Sequence, residues 1–315
     1  MQPQLKGLND HESSTDDPGG EAVPFCSGAT EALVRLYWFS LPTVHRRARR
    51  GRGAPTERRC RMNLLDSVLI LLAGAAAGII NVVAGAGTLI TFPVLLALGV
   101  PPITANVSNT VGLVPAAITG VYGYRRELAG QWRSVLWMAS LSALGGVVGG
   151  ALLLLLPATS FSAVIPFLLL LAALLAAIQP RVARFVRRKS TAGTSDPRPL
   201  TAGLLLGILA TGVYGGYFGA AQGVILLALL GILWSTEMHR ANGAKNVLAG
   251  VANVVSAVIF ISSGRVDWQV ALLVGLGSAA GGWVGSRVGR RLPAPALRAI
   301  LVVVALTAAT ILFLK

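Results

Sequence analysis

Ten apolar segments make up most of the chain beyond residue 62: 64–82, 86–98, 104–124, 132–156 and 160–179, then 200–219, 222–234, 241–262, 267–286 and 294–314. Most reach the ~20 residues that a helix needs to cross a bilayer. Two are short, 86–98 and 222–234, and each follows a glycine-rich interruption, AGAGT at 84–88 and FGAAQG at 218–223. The pattern predicts an all-α polytopic membrane protein.

The paired interruptions belong to a longer register. Shifted by 136 residues, the chain aligns with itself without a gap: Gly87 falls on Gly223, Ala105-Asn106 on Ala241-Asn242, Trp132 on Trp268, Gly145, Gly146 and Gly149 on Gly281, Gly282 and Gly285, and Pro157 on Pro293. We read two homologous halves, 62–180 and 200–315, each with four long helices and one glycine-broken short helix, joined by a basic cytoplasmic linker at 181–199. A helix broken inside a membrane leaves backbone N–H and C=O groups unpaired, which is tolerated only against protein or a water-filled cavity. Duplicated halves with interrupted helices therefore point to a secondary transporter. Gly145, Gly149, Gly281 and Gly285, four apart in mid-helix, are expected to let helices pack closely.

Charge fixes the expected topology. Of 27 basic and 12 acidic residues, seventeen basic and five acidic ones lie in 62–315, clustered between the apolar runs. Stretch 181–198 holds six basic residues and one acidic one, so it is expected on the cytoplasmic side, together with Arg125, Arg126 and Arg133. If each short segment completes a crossing, the halves are inverted, and Arg240, Arg287, Arg290, Arg291 and Arg298 also fall inside. If the short segments are re-entrant, those five fall outside, so the body of the chain favours inversion.

Residues 1–61 look foreign to the rest: polar to residue 30, arginine-rich at 45–61, and without the apolar core of a secretory signal. We expect Met62 to be the biological start, or 1–61 to be a disordered cytoplasmic tail. Cys26 and Cys60 are the only cysteines and both precede the first apolar run, so the membrane region can build no disulfide or thiolate metal site. No cofactor and no metal is expected. Charge placed between apolar runs, with no basic stripe interleaved with aromatics, argues against nucleic acid as a partner. No Walker-type phosphate loop is present, so the chain carries no ATPase of its own and none is evident as a subunit. Intramembrane catalysis would need a nucleophile with a base, paired acids or metal ligands, and 62–315 offers none of these, so the chain does not read as an enzyme.

The first half reads GIINVVAGAGTLITFPVLLALGVPPITANVSNTVGLVPAAITGVYGYRREL over 78–128. The second reads GVYGGYFGAAQGVILLALLGI over 212–232 and RANGAKNVLAGVANVVSAVIF over 240–260. In combination these resemble the sulfite exporter TauE/SafE family of membrane permeases, over about 62–315. The matching elements are Asn81, the Gly85-to-Thr88 turn, Phe92-Pro93, Pro101-Pro102, Ala105-Asn106, Asn109 and Gly123 to Leu128. In the second half they are Tyr214 to Ala220, Asn242, Lys245-Asn246 and Asn253. Ala86 and Ala221-Gln222 stand where family members usually continue a glycine run. The resemblance implies a multi-pass permease of the bacterial inner membrane for small sulfur-containing or organic anions, often sulfite or sulfonates. It also implies export driven by the proton motive force without ATP.

The chemistry of the breaks suits an anion, because helix N-termini carry partial positive charge and free N–H donors. Segments starting near Thr88 and Gln222 would aim such ends into the membrane, with Gly85, Gly87, Gly219 and Gly223 shaping the turns. Asn106 and Asn242 open the next helices at matched positions, and Asn109, Asn246 and Asn253 add amide donors. Lys245 lies about one turn into an apolar helix. An ionisable group there is a functional candidate by default; the alternative is that it snorkels or caps a carbonyl. Asn81 either bridges the break or faces the solute. Tyr214 and Tyr217 are expected as packed aromatics, Trp132 and Trp268 as interfacial anchors, and Arg125, Arg126, Glu127 and His239 at exposed edges. Asp66, Glu127, Asp196, Glu237 and Asp267 all sit near helix ends or in loops, so no proton carrier stands in mid-membrane. The anion then moves with its own proton or down the membrane potential. An anion channel, a non-transporting scaffold and a homo-oligomer remain compatible with the sequence.

Overall fold

The computed structural model describes residues 63–190, 197–235, 237–288 and Thr310. Residues 1–61, Met62 and the apolar segment 294–309 lie outside the described residues. Nine helices cover the described part: α1 Leu64–Ala84, α2 Thr88–Ala97, α3 Pro102–Tyr124, α4 Trp132–Leu155, α5 Ala158–Ser190, α6 Ala202–Tyr217, α7 Gln222–Leu233, α8 Met238–Ser262 and α9 Trp268–Val288. Each matches one apolar segment, and the two short segments are the two short helices, α2 and α7. α5 continues past Pro180 to Ser190, so the basic stretch from Arg181 begins as the last turns of a helix.

Local chemistry sets the ends. Asn63 and Asp66 close α1 with a capping box, which satisfies N–H groups that a helix start leaves free. Pro102 opens α3, where its missing N–H costs nothing. Thr201 caps α6 by accepting from the Leu204 N–H.

Four of the described helices are long and apolar enough to cross a membrane: α1, α4, residues 158–181 of α5, and α8. The outside of the bundle is apolar as well, with Ile118, Leu136, Phe167, Leu206 and Leu276 all more than 60% exposed. In water so much exposed hydrocarbon would drive association; lipid accepts it. Polar side chains turn inward instead: Asn106, Ser108, Asn109 and Thr110 of α3 and Asn242, Lys245 and Asn246 of α8 are buried. One core cluster includes Phe92, Phe161, Phe218 and Phe260; a second includes Leu128, Met138, Leu204, Trp234 and Leu248.

Glycines let the backbones meet, and their contacts give the helix directions. Gly74 lies against Val274, Gly78 against Ser278 and Gly285 against Ile79, so α1 and α9 run parallel. Gly112 and Gly123 of α3 meet Val274 and Ser286, so α3 and α9 are parallel too. Gly145 meets Gly212, Gly149 meets Val213, and Gly146 meets Ala252, which aligns α4 with α6 and with α8. The contact of α3 with α8 runs the other way: Gly250 faces Ala117, Gly120 faces Asn246 and Gly243 faces Tyr124. Thus α1, α3 and α9 point one way, and α4, α6 and α8 the opposite way. Two hydrogen bonds tie the bundle in matched places. Ser142 donates to the Leu248 carbonyl at 2.8 Å, and Ser278 to the Gly112 carbonyl at 2.6 Å. Donors and acceptors are each 136 positions apart.

Candidate functional site

α1 ends because Gly85 takes a left-handed conformation, φ 74°, and its N–H turns back to the carbonyls of Ile80 and Asn81 at 3.0 and 2.9 Å. α6 ends at Tyr217, where the N–H groups of Phe218 and Gly219 both reach the Tyr214 carbonyl. The Tyr214 hydroxyl then donates to the Ala220 carbonyl at 2.5 Å and fixes the turn. Ala221 is left-handed at φ 59°, the only described non-glycine with a positive φ, a conformation that costs a residue with a Cβ roughly 1–2 kcal/mol.

The two interruptions touch. The Gly223 N–H donates to the Gly85 carbonyl at 3.1 Å. A Cβ on either glycine would overlap the backbone of the other, so glycine is required at both. Gly87 is packed against Ala77 and Asn81 of α1. Phe92 of α2 meets Phe218 edge-on, centroids 5.1 Å apart, and seals one flank of the junction.

Each break exposes carbonyls at its first helix, and each is served from the other half of the chain. Lys245 is fully buried, and its ammonium donates to the carbonyls of Val82 and Asn81 at 3.0 and 3.4 Å. A cation at a helix C-terminus also complements the helix dipole. Asn106 donates to the Tyr217 carbonyl at 3.0 Å. Asn81 and Tyr217 lie 136 positions apart, and each carbonyl is clamped, one by an ammonium and one by an amide. Asn109, 136 positions before Lys245, instead binds the neighbouring α2: it donates to the Thr88 hydroxyl at 3.3 Å and accepts from that of Thr91. Thr91 was not singled out by sequence; the available signal was its position three residues after Thr88, on the same face of α2.

Among the described residues, several site polar atoms are buried without a hydrogen-bond partner: Asn106 Oδ1, Gln222 Nε2, Asn242 Oδ1 and Asn246 Nδ2. Such atoms are rare in folded proteins because each costs about 1–3 kcal/mol. Gln222 lies over Gly215 at the start of α7, and Asn246 beside Gly120. The structure thus gathers Asn81, Gly85, Gly87, Thr88, Asn106, Asn109, Gly219, Gln222, Gly223, Lys245 and Asn246 at or next to the crossed breaks. Asn242 is one turn before Asn246 on α8. Asn253 is half-buried, about 10 Å further along that helix. Tyr217 packs edge-on against Phe161, Trp132 and Trp268 are exposed, and His239 is exposed.

The profile of the sulfite exporter TauE/SafE family matches residues 70–312, most of the chain and both breaks. The chain belongs to the TauE/SafE family. Its similar proteins include "Probable membrane transporter protein ORF9" of Sinorhizobium sp, 29% identical over 76% of this chain and 89% of that protein. A "Probable membrane transporter protein" of Haemophilus influenzae is 27% identical over 71% of this chain and 86% of its own length. "Probable membrane transporter protein YdhB" of Bacillus subtilis is 26% identical over 75% and 94%. No solved structure matches the chain. TauE/SafE proteins are a membrane transporter family rather than an enzyme class.

Proposed function

We propose that this TauE/SafE protein is a secondary transporter that exports small anions, such as sulfite, sulfonates or related organic anions, across a bacterial inner membrane. The observation that carries the reading is the contact between two helix interruptions beside buried amides whose polar atoms lack partners. α2 and α7 start there, and helix starts favour anions. Gln222, Asn242 and Asn246 present amides that can turn their N–H₂ toward oxygen. Lys245 holds the first break together and sets a positive charge beside it. A scaffold would have no use for the unpaired buried amide donors of Gln222 and Asn246, whereas a solute oxygen would satisfy them.

The same reading takes the chain as two homologous halves in inverted orientation, each crossing five times. The matched serine bonds support the duplication. The opposed directions of α3 and α8, equivalent in the 136-residue register, support the inversion. Interfaces of this kind are where secondary transporters place their sites. With no carboxylate at the breaks, the membrane potential or a proton carried on the solute itself drives export.

Purified protein in vesicles loaded with labelled sulfite or an organosulfonate tests the reading. Efflux faster than from protein-free vesicles, and at least tenfold slower after Gln222→Leu, is expected. Efflux equal to that of protein-free vesicles for every anion of the panel would refute it.

A further inference from the structure

A groove of about 560 Å³ lies between α3 and α8, and no residue of either break lines it. Its size falls in the ~300–1,000 Å³ range of small-ligand sites. Ala117 and Val121 of α3 and Val247 and Val251 of α8 line it. It opens to the outer face of the bundle, where Ile118 is 61% and Val254 40% exposed. In a membrane protein an open apolar groove faces hydrocarbon, and an acyl chain is the matching occupant.

One end of the groove differs from the rest. Arg125, Tyr122 and Trp132 line that end. The Arg125 guanidinium stacks on the Tyr122 ring, 3.7 Å from its centroid, and spends one N–H on the Tyr122 carbonyl at 2.8 Å. Stacking holds the cation at the groove's mouth in an exposed position, with Arg126 and Arg133 also exposed close by in the chain. Trp and Arg together at the end of a spanning helix mark the headgroup level of a bilayer. The feature is one-sided along the groove: Arg125 is the one charged residue among the described residues that line it, and in the 136-residue register Tyr122 and Arg125 correspond to Val258 and Ile261 of α8. Generic lipid contact would not need that asymmetry.

We propose that this groove is a binding site for an anionic phospholipid, with one acyl chain between α3 and α8 and its phosphate on Arg125. Arginine suits the phosphate because its planar fork gives two parallel N–H donors, and basic pockets between spanning helices are suited to anionic headgroups.

Native mass spectrometry of the full chain in detergent tests this, with phosphatidylglycerol and phosphatidylcholine of identical chains added in turn. The wild type should retain phosphatidylglycerol about fivefold better, the worth of one basic side chain at an anionic headgroup. Arg125→Gln should equalise the two lipids, and Val254→Trp, which fills the groove from an exposed position, should lower retention of both. Millimolar inorganic phosphate should not displace the lipid, because the chain supplies part of the affinity. Equal retention of both lipids by the wild type, an undiminished preference in Arg125→Gln, or displacement by phosphate alone would overturn the proposal. Arg125 is exposed, so its substitution leaves the fold intact and decides the matter even where Val254→Trp is poorly made.

Discussion

The two helix interruptions share a backbone design but differ in how their polar groups are spent. At the first, the carbonyls of Asn81 and Val82 are held by the Lys245 ammonium, and the start of α2 is tied up by Thr88, Thr91 and Asn109. At the second, Asn106 and the Tyr214 hydroxyl secure the carbonyls, but the Gln222 amide at the start of α7 has a donor with no partner. The other unpaired atoms of the site are on Asn106, which holds the second break, and on Asn242 and Asn246 of α8, where Asn246 lies beside Gly120 of α3. Of the two helix starts, that of α2 has its polar side chains paired, whereas that of α7 keeps the Gln222 amide donor unspent. Asn109, 136 positions before Lys245, pairs with the side chains at the start of α2, whereas Lys245 holds the end of α1.

The strongest way to break the comparison is to separate the interruptions. Gly85→Val or Gly223→Val puts a side chain into the facing backbone. We expect a loss of about 3 kcal/mol or more, or no folded protein; a monodisperse size-exclusion profile with unchanged melting would contradict the contact. Next come the clamps. Lys245→Met frees two carbonyls from a charged donor and should cost about 2 kcal/mol, against about 1 kcal/mol for Asn106→Leu. Thermal unfolding in the same detergent orders the pair, and equal losses would remove the distinction between them. Thr91→Val should cost about 1 kcal/mol by leaving Asn109 short of a donor, without changing which anions bind. The smallest effect has the opposite sign: Ala221→Gly relieves a left-handed alanine and should raise stability by up to about 1 kcal/mol, readable as a small upward shift in Tm.

The interruptions themselves were legible in the sequence because their cause is local. Glycine at 85 and 219 admits a positive φ, and a thirteen-residue apolar run is too short for an ordinary span. Paired helices were legible because Gly145, Gly146 and Gly149 recur at 281, 282 and 285. The clamps were not. Lys245 stood out as a buried charge, but its partners are backbone carbonyls more than 160 residues earlier, and a carbonyl leaves no mark in a sequence. Thr91 looked like any β-branched residue in an apolar run until α3 brought Asn109 against it. Ser142 and Ser278 did fall in the 136-residue register, yet only packing revealed that each holds a carbonyl of a neighbouring helix. Ala221 departs from the glycine its position favours, and nothing local announced that a non-glycine residue would accept the left-handed conformation there.

The account turns on whether the partnerless amide of Gln222 is there to meet a solute. Thermal unfolding of purified wild type and Gln222→Leu, with and without a panel of sulfite, sulfonates and small carboxylates, asks this directly. Without ligand the variant should melt at the same temperature as wild type or higher, since it deletes a buried group with nothing to pair with. With at least one anion near a hundredfold over Kd, wild type should gain about 2.7 kcal/mol, while the variant gains little. No shift with any anion, or the same shift in both proteins, would contradict the account.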